Sequence, residues 1–116
     1  MLSIRKIARG AGHLSVDEID VPEPRPGEVR LKVSAAGICG TDMHIYNWAP
    51  FSERLQLPTV LGHEICGVVE AAGDGVSRVR VGDFVTVESH IACGNCYSCR
   101  TNRSHVCRHT RYPGVD

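Results

Sequence analysis

Gly62-His63-Glu64-Ile65-Cys66-Gly67-Val68-Val69-Glu70-Ala71-Ala72-Gly73-Asp74-Gly75-Val76 is the stretch on which the fold turns. Ile65 to Ala72 reads as a strand, and Gly73-Asp74-Gly75 supplies the turn that ends it. Downstream, Asp83 to Glu88 predicts a second strand behind the turn at Gly82-Asp83. Upstream, Val29, Leu31 and Val33 alternate with Arg30 and Lys32, the pattern of a half-buried strand. Pro22-Glu23-Pro24-Arg25-Pro26-Gly27 cannot be regular structure, because prolines fix φ and remove donors. It predicts a surface connection. Ser3 to Ala8 reads as extended, Gly10-Ala11-Gly12 as a turn, and Thr41 to Trp48 as a short helical turn running into a loop. The expected class is mainly β.

A chain of 116 residues is one domain's worth of protein at most. With 42% hydrophobic and 22% charged residues it has the composition of an ordinary soluble globular domain. Thirteen basic residues offset thirteen acidic ones, so nothing in the overall charge attracts nucleic acid or an anionic membrane. No apolar run is long enough to span a bilayer, and no secretory signal is read at the start. Six cysteines in so short a chain demand an explanation, and four of them crowd between Cys93 and Cys107. Without an export signal that clustering points to metal binding in a reducing compartment, and hence to the cytoplasm.

Cys93, Cys96, Cys99 and Cys107 are spaced C-x2-C-x2-C-x7-C. A structural zinc ion takes four soft ligands at tetrahedral corners and keeps no open position. C-x2-C spacing lets one tight turn aim two thiolates at the same ion, and Gly94 permits the bend. From Cys93 onward there is almost no apolar periodicity, so the segment needs an organiser other than a hydrophobic core. Disulfides, an iron–sulfur cluster or unpaired thiols are the competing readings. Arg100, Arg103, Arg108 and Arg111, with His105 and His109, could balance the charge of four thiolates.

Cys39, His63 and Glu64 form a second candidate set. Cys39 lies in the glycine-flanked Gly37-Ile38-Cys39-Gly40-Thr41-Asp42, and the other two stand just before the strand quoted above. A catalytic zinc needs fewer protein ligands and one position left for substrate, which thiolate, imidazole and carboxylate could provide. The pairing is non-local, however, and each residue has an innocent role. A lone cysteine in a turn is usually a small buried hydrophobe, and Gly-His-Glu is often a surface turn.

Gly62-His63-Glu64 followed by Gly67, Gly73 and Val76 resembles the zinc-containing alcohol dehydrogenase signature at every fixed position. Cys39-Gly40-Thr41-Asp42, Val81-Gly82-Asp83 and the four-cysteine segment follow in that family's order and spacing. The chain thus resembles the N-terminal, GroES-like catalytic part of a medium-chain dehydrogenase, a partial β-barrel with short helical turns. On that resemblance residues 1–116 are an incomplete GroES-like domain, with a structural zinc lobe at 90–112. Two zinc ions are implied. The structural one would sit on Cys93, Cys96, Cys99 and Cys107, and the catalytic one on Cys39 and His63 with Glu64 as ligand or neighbour. Thr41 would take the substrate's hydroxyl proton and His44 would pass it to solvent. His44-Ile45-Tyr46-Asn47-Trp48 and His105-x-Cys107-Arg108-x-Thr110 are most similar to the threonine-oxidising branch. A secondary alcohol, with L-threonine at C3 foremost, would then deliver hydride to NAD. Trp48 and His90 are candidate pocket residues, with core packing and a strand-end position as their plainer roles. Cys66 reads as a small thiol inside a strand.

The resemblance also implies a nucleotide-binding domain that these residues do not contain. Gly73-Asp74-Gly75 begins a G-x-G, but Arg78 occupies the place of the third glycine. The expectation is a fragment, inactive by itself, whose full-length parent is a homo-oligomer, a tetramer on the family's pattern. Two other functions compete. A zinc-stabilised interaction or nucleic-acid module would use the arginines and Tyr97, but leaves Gly62-His63-Glu64 unexplained. A zinc hydrolase would lack H-E-x-x-H spacing.

Overall fold

The computed structural model describes residues 1–113; the last three residues of the expected 1–116 domain lie outside that range. In chain order the elements are β1 (Leu2–Lys6), β2 (Leu14–Glu18), β3 (Val29–Gly37), α1 (Gly40–Tyr46), a 3-10 turn (Pro50–Arg54), β4 (Thr59–Val60), β5 (Glu64–Ala72), β6 (Phe84–Thr86), α2 (Tyr97–Arg100) and a second 3-10 turn (Ser104–Val106). The strands make two three-stranded antiparallel sheets, ordered β2-β1-β4 and β3-β5-β6. The class is mainly β, as the strand patterning indicates.

The long β3–β5 pair is the backbone of the second sheet. Its register runs from Val29 opposite Ala72 to Gly37 opposite Glu64, with irregularities between Arg30 and Leu31 and between Val33 and Ala35. Gly67 permits the closest approach. A Cβ there would stand 2.3 Å from the Lys32 carbonyl oxygen, so no other residue fits without parting the strands.

The alternation expected of Val29 to Val33 is only partly kept, and not because of a bulge within it. The first irregularity has its extra residue, Glu70, on β5, and the extra residue of β3, Ser34, comes later. Val33 is 51% exposed, while Arg30 is half-buried. Carboxylates of Glu23 at 2.8 Å and Glu70 at 3.1 Å hold the guanidinium against the sheet. The expected strand Asp83–Glu88 shortens to Phe84–Thr86, and one further bond from Val87 N–H to the Ile65 carbonyl continues the pairing.

β2 was not evident from the sequence. Leu14 and Val16 point outward, and Ser15 and Asp17 are half-buried instead. Asp17 is drawn in by Arg5 on β1, at 2.7 Å. The Arg5 guanidinium and the Ser15 hydroxyl hold the Asp17 carboxyl below its ordinary range.

Ile45 of α1 and Leu55 form the small core that anchors the helix, with Trp48, Leu61 and Tyr112 packed against them. Lys6 lies beneath, with no exposed surface. Its ammonium donates to the carbonyls of Gly10, Gly12 and Tyr46 and sits 5.4 Å from the centre of the Trp48 ring. Burial pushes the Lys6 pKa down, and the three carbonyls and the aromatic face compensate the charge. Trp48 therefore takes the core-packing role, with its indole N–H donating to Glu53 at 2.6 Å. This arrangement staples the 10–12 turn to the C-terminal end of α1, so the helix that begins at Cys39 is fixed at both ends.

Candidate metal centres

An isolated antiparallel bridge between Ile91 and Arg111 closes the base of the cysteine segment. Above it, the four-residue α2 and the three-residue 3-10 turn bury no residue of their own. Helices this short have no independent stability in water. Among the lobe's residues only Cys107 is buried.

The four sulfurs nevertheless converge. Cys107 Sγ lies 3.5 Å from Cys93 and 3.8 Å from Cys96, Cys96 lies 3.6 Å from Cys99, and Cys93 lies 3.9 Å from Cys99. Sulfurs bound at ~2.3 Å around one tetrahedral zinc are about 3.8 Å apart, so the cage has the edges that ion requires. All six cysteines are free thiols, which excludes the disulfide reading for this structure. The thiols are also poised unequally. The backbone N–H of Cys93, followed by that of His109, holds Cys107 down to about 6, whereas burial and the neighbouring Cys96 push Cys99 up to about 12. Four thiolates cannot ionise side by side without a cation, and a divalent ion resolves that conflict. The donor set fits zinc.

The second set is assembled across the sheet. Cys39 ends the loop after β3, and His63 and Glu64 lead into β5, so the β3–β5 register brings together residues 24 positions apart in the chain. The ligand atoms of Cys39, His63 and Glu64 all lie within 4.8 Å of one another. Cys39 Sγ is 3.1 Å from His63 Nε2. A thiolate and an imidazole on one tetrahedral zinc stand about 3.6 Å apart, so loading requires a separation of roughly half an ångström. Glu64 is exposed, and a cleft of about 500 Å³ lined by Gly37, Cys66, Thr86 and Ser89 runs beside it. This set is open where the first is closed.

Asp42 is the functional residue that sequence reading left without a role. Buried at 7% exposure, it accepts from the Cys39 N–H at 3.0 Å and from the Gly62 N–H at 3.3 Å. One carboxylate thus ties the two ligand loops together. The Cys39 sulfur in turn accepts from the Thr41 N–H, completing a capping box at the start of α1. A carboxylate three residues after an N-cap is the signal that could have found it. His63 Nδ1 is buried without a hydrogen-bond partner, and the nearest carboxylate oxygen is Asp42 Oδ1 at 3.6 Å. A metal-binding histidine donates its other ring N–H to a carboxylate, and here Asp42 stands just beyond hydrogen-bond distance on that side while Nε2 faces the Cys39 thiol. The residues fit a zinc ion here too. Asp42→Ala is expected to weaken metal binding at this set 10- to 100-fold while the four-cysteine lobe keeps its ion. A chelator-competition titration showing wild-type affinity would reduce Asp42 to a helix cap.

Thr41 and His44 occupy the same helix three residues apart. Thr41 is half-buried, and His44 is exposed with its ring edge-on to Phe51 at 6.2 Å. Among the described residues no hydrogen bond joins the two side chains. His90 packs edge-on to Tyr112 at 5.0 Å and contacts Ser89 at 3.2 Å. Cys66 is half-buried within β5 and joins neither metal set. No helix among the described residues is long and apolar enough to cross a membrane.

A β domain that gathers four cysteines into one closed cluster and a cysteine, a histidine and a glutamate into a second, open one has the donor sets of a zinc-carrying domain. Residues 25–115 match the alcohol dehydrogenase GroES-like domain, and the chain belongs to that family. It is 50% identical over its whole length to the L-threonine 3-dehydrogenase of Pyrococcus horikoshii, covering 33% of that protein. It is 49% identical, over 92% of its length, to the L-threonine 3-dehydrogenase of Bacillus subtilis, covering 31% of it. Among solved structures, a short chain alcohol dehydrogenase of Escherichia coli CFT073, complexed with NADH, superposes with a TM-score of 0.82. The identity there is 42%, covering 99% of this chain and 32% of the other. The alcohol dehydrogenase of Aeropyrum pernix gives a TM-score of 0.85 at 27% identity, covering 99% of this chain and 34% of the other. The chain spans about a third of the length of the curated relatives it matches.

Proposed function

We propose that the chain is the zinc-carrying, substrate-side part of a zinc- and NAD-dependent dehydrogenase that oxidises L-threonine at C3. The observation that carries this reading is the open set of Cys39, His63 and Glu64, held at the mouth of a sheet whose closed partner site is structural. Half-identity to L-threonine 3-dehydrogenases over the whole chain supports the choice of substrate. The NADH-bound neighbour supports the coenzyme.

Zinc held by Cys39, His63 and Glu64 would supply Lewis-acid polarisation of the substrate hydroxyl. Asp42 keeps the two ligand loops in register, with its carboxylate beside His63 Nδ1. The Thr41 hydroxyl, in the first turn of α1, accepts the proton released from the substrate oxygen. The exposed His44 delivers that proton to water. The C3 hydrogen leaves with its electron pair to NAD⁺, and the product is a 2-amino-3-oxo acid. Cys93, Cys96, Cys99 and Cys107 hold the structural ion. Residues 1–116 act as a GroES-like unit with the lobe at 90–112, in a cytoplasmic homo-oligomer.

The test is NAD⁺ reduction by the full-length protein. L-Threonine is expected to support turnover, and Cys39→Ser or His63→Ala to lower kcat/KM by about a thousandfold, the scale of losing a main electrostatic contributor. Full activity in either variant, or none with L-threonine and other secondary alcohols in the wild type, would overturn the proposal.

A further inference from the structure

The Glu64 carboxylate has no hydrogen-bond or ion-pair partner among the described residues, yet it lies within ligating reach of Cys39 and His63. Something other than a polar contact must set where it rests. The β3–β5 register puts Gly37 directly opposite Glu64. A Cβ built on Gly37 would stand 3.1 Å from Glu64 Oε2, 3.5 Å from its Cβ and 3.6 Å from its carbonyl oxygen. The first of these is closer than ordinary van der Waals contact between a methyl group and an oxygen. The carboxylate therefore occupies space that a side chain at 37 would need.

We propose that Gly37 is a positioning residue for Glu64: the absence of a side chain at 37 leaves the slot that keeps the carboxylate beside the Cys39–His63 pair. The inference rests on the second metal set assigned under the proposed function. A methyl group at 37 forces the carboxylate to give way by a few tenths of an ångström from its place beside the Cys39–His63 pair. Because Oε2 ends a flexible side chain, the displacement costs the fold little. It costs the metal site a ligand position.

The experiment is a zinc titration against a chromophoric chelator on the chain, with cobalt(II) absorption as a second readout of coordination. Gly37→Ala is expected to weaken the second ion about tenfold, the lower end of the range for an outer-shell change, and to alter the cobalt spectrum. The ion in the four-cysteine lobe should be untouched. In a Glu64→Ala background the same substitution is expected to have no further effect, since the carboxylate it moves is gone. Should Gly37→Ala fold poorly, Glu64→Asp withdraws the carboxylate from the slot with the backbone intact, and the same loss is expected. Wild-type affinity in both Gly37→Ala and Glu64→Asp, or an undiminished Gly37→Ala effect in the Glu64→Ala background, would overturn this inference alone. A wild-type chain whose zinc count is unchanged by Cys39→Ser and His63→Ala would overturn it together with the proposed function.

Discussion

Cys107→Ser is expected to cut the zinc count of the chain from two to one and to unfold the lobe from Cys93 to Thr110. The sulfur of Cys107 is the lobe's only buried side chain, and it touches both Cys93 and Cys96. It also accepts backbone N–H groups from Cys93 and His109, so it organises peptide as well as metal. Serine offers a harder and less readily ionised ligand, and three thiolates do not close a structural site. Little else holds the segment. α2 is a single turn, and the bridge at Ile91 and Arg111 is the only strand-type pairing that joins the lobe's two ends among the described residues. Structural zinc contributes roughly 10–16 kcal/mol of apparent binding free energy in small zinc domains, more than any packing term available here. Native mass spectrometry counts the ions and hydrogen exchange locates the loss. Two zincs retained, or amides of 96–107 protected as in wild type, would sink the assignment. The remaining ion should then disappear on adding Cys39→Ser.

How much of this was legible in the sequence follows from how far apart the cooperating residues lie. The four-cysteine cage closes within fifteen residues, so its spacing and the lack of apolar periodicity around it singled out its members. Cys39 and His63 are joined only through the β3–β5 register, and no local pattern announces a register; their pairing was legible through resemblance. Asp42 was visible as a residue of the motif but not as a tie, because its partners Cys39 N–H and Gly62 N–H are backbone groups from two loops. Lys6 escaped for a related reason. Lysine is almost never fully buried, and the carbonyls of Gly10, Gly12 and Tyr46 that accept its protons carry no sequence mark. β2 was hidden by its inverted polarity: Asp17 turns inward to meet Arg5 while Val16 faces out. Hydrophobic alternation reports burial against a layer, and here much of the apolar surface has none. Ile38 at 79% exposure and Phe84 at 67% show how little of it these residues cover by themselves.

Gly67→Ala should be among the most damaging small substitutions outside the metal ligands, and the one that acts on the β3–β5 pair itself. Its Cβ would meet the Lys32 carbonyl oxygen at 2.3 Å, the Lys32 carbonyl carbon at 2.9 Å and the Val33 Cα at 3.0 Å. These atoms belong to the partner strand's backbone, so relief requires parting β3 from β5 rather than turning a rotamer. Overpacking of a tight interior costs about 1–3 kcal/mol, and a backbone clash belongs at or above the top of that range. Domains of this size have only about 5–15 kcal/mol of stability to lose. The damage also has a direction. The strand pairing that Gly67 permits carries Glu64 to Gly37 and His63 to Cys39, so the open metal set should weaken along with the fold. The four-cysteine lobe, closed by its own bridge, should keep its ion. Gly40→Ala is the control: no atom lies within 4 Å of a Cβ at that position, and both melting temperature and zinc count should match wild type. A Gly67→Ala chain that melts with Gly40→Ala and binds two zincs would mean that the β3–β5 contact is not what builds the open site.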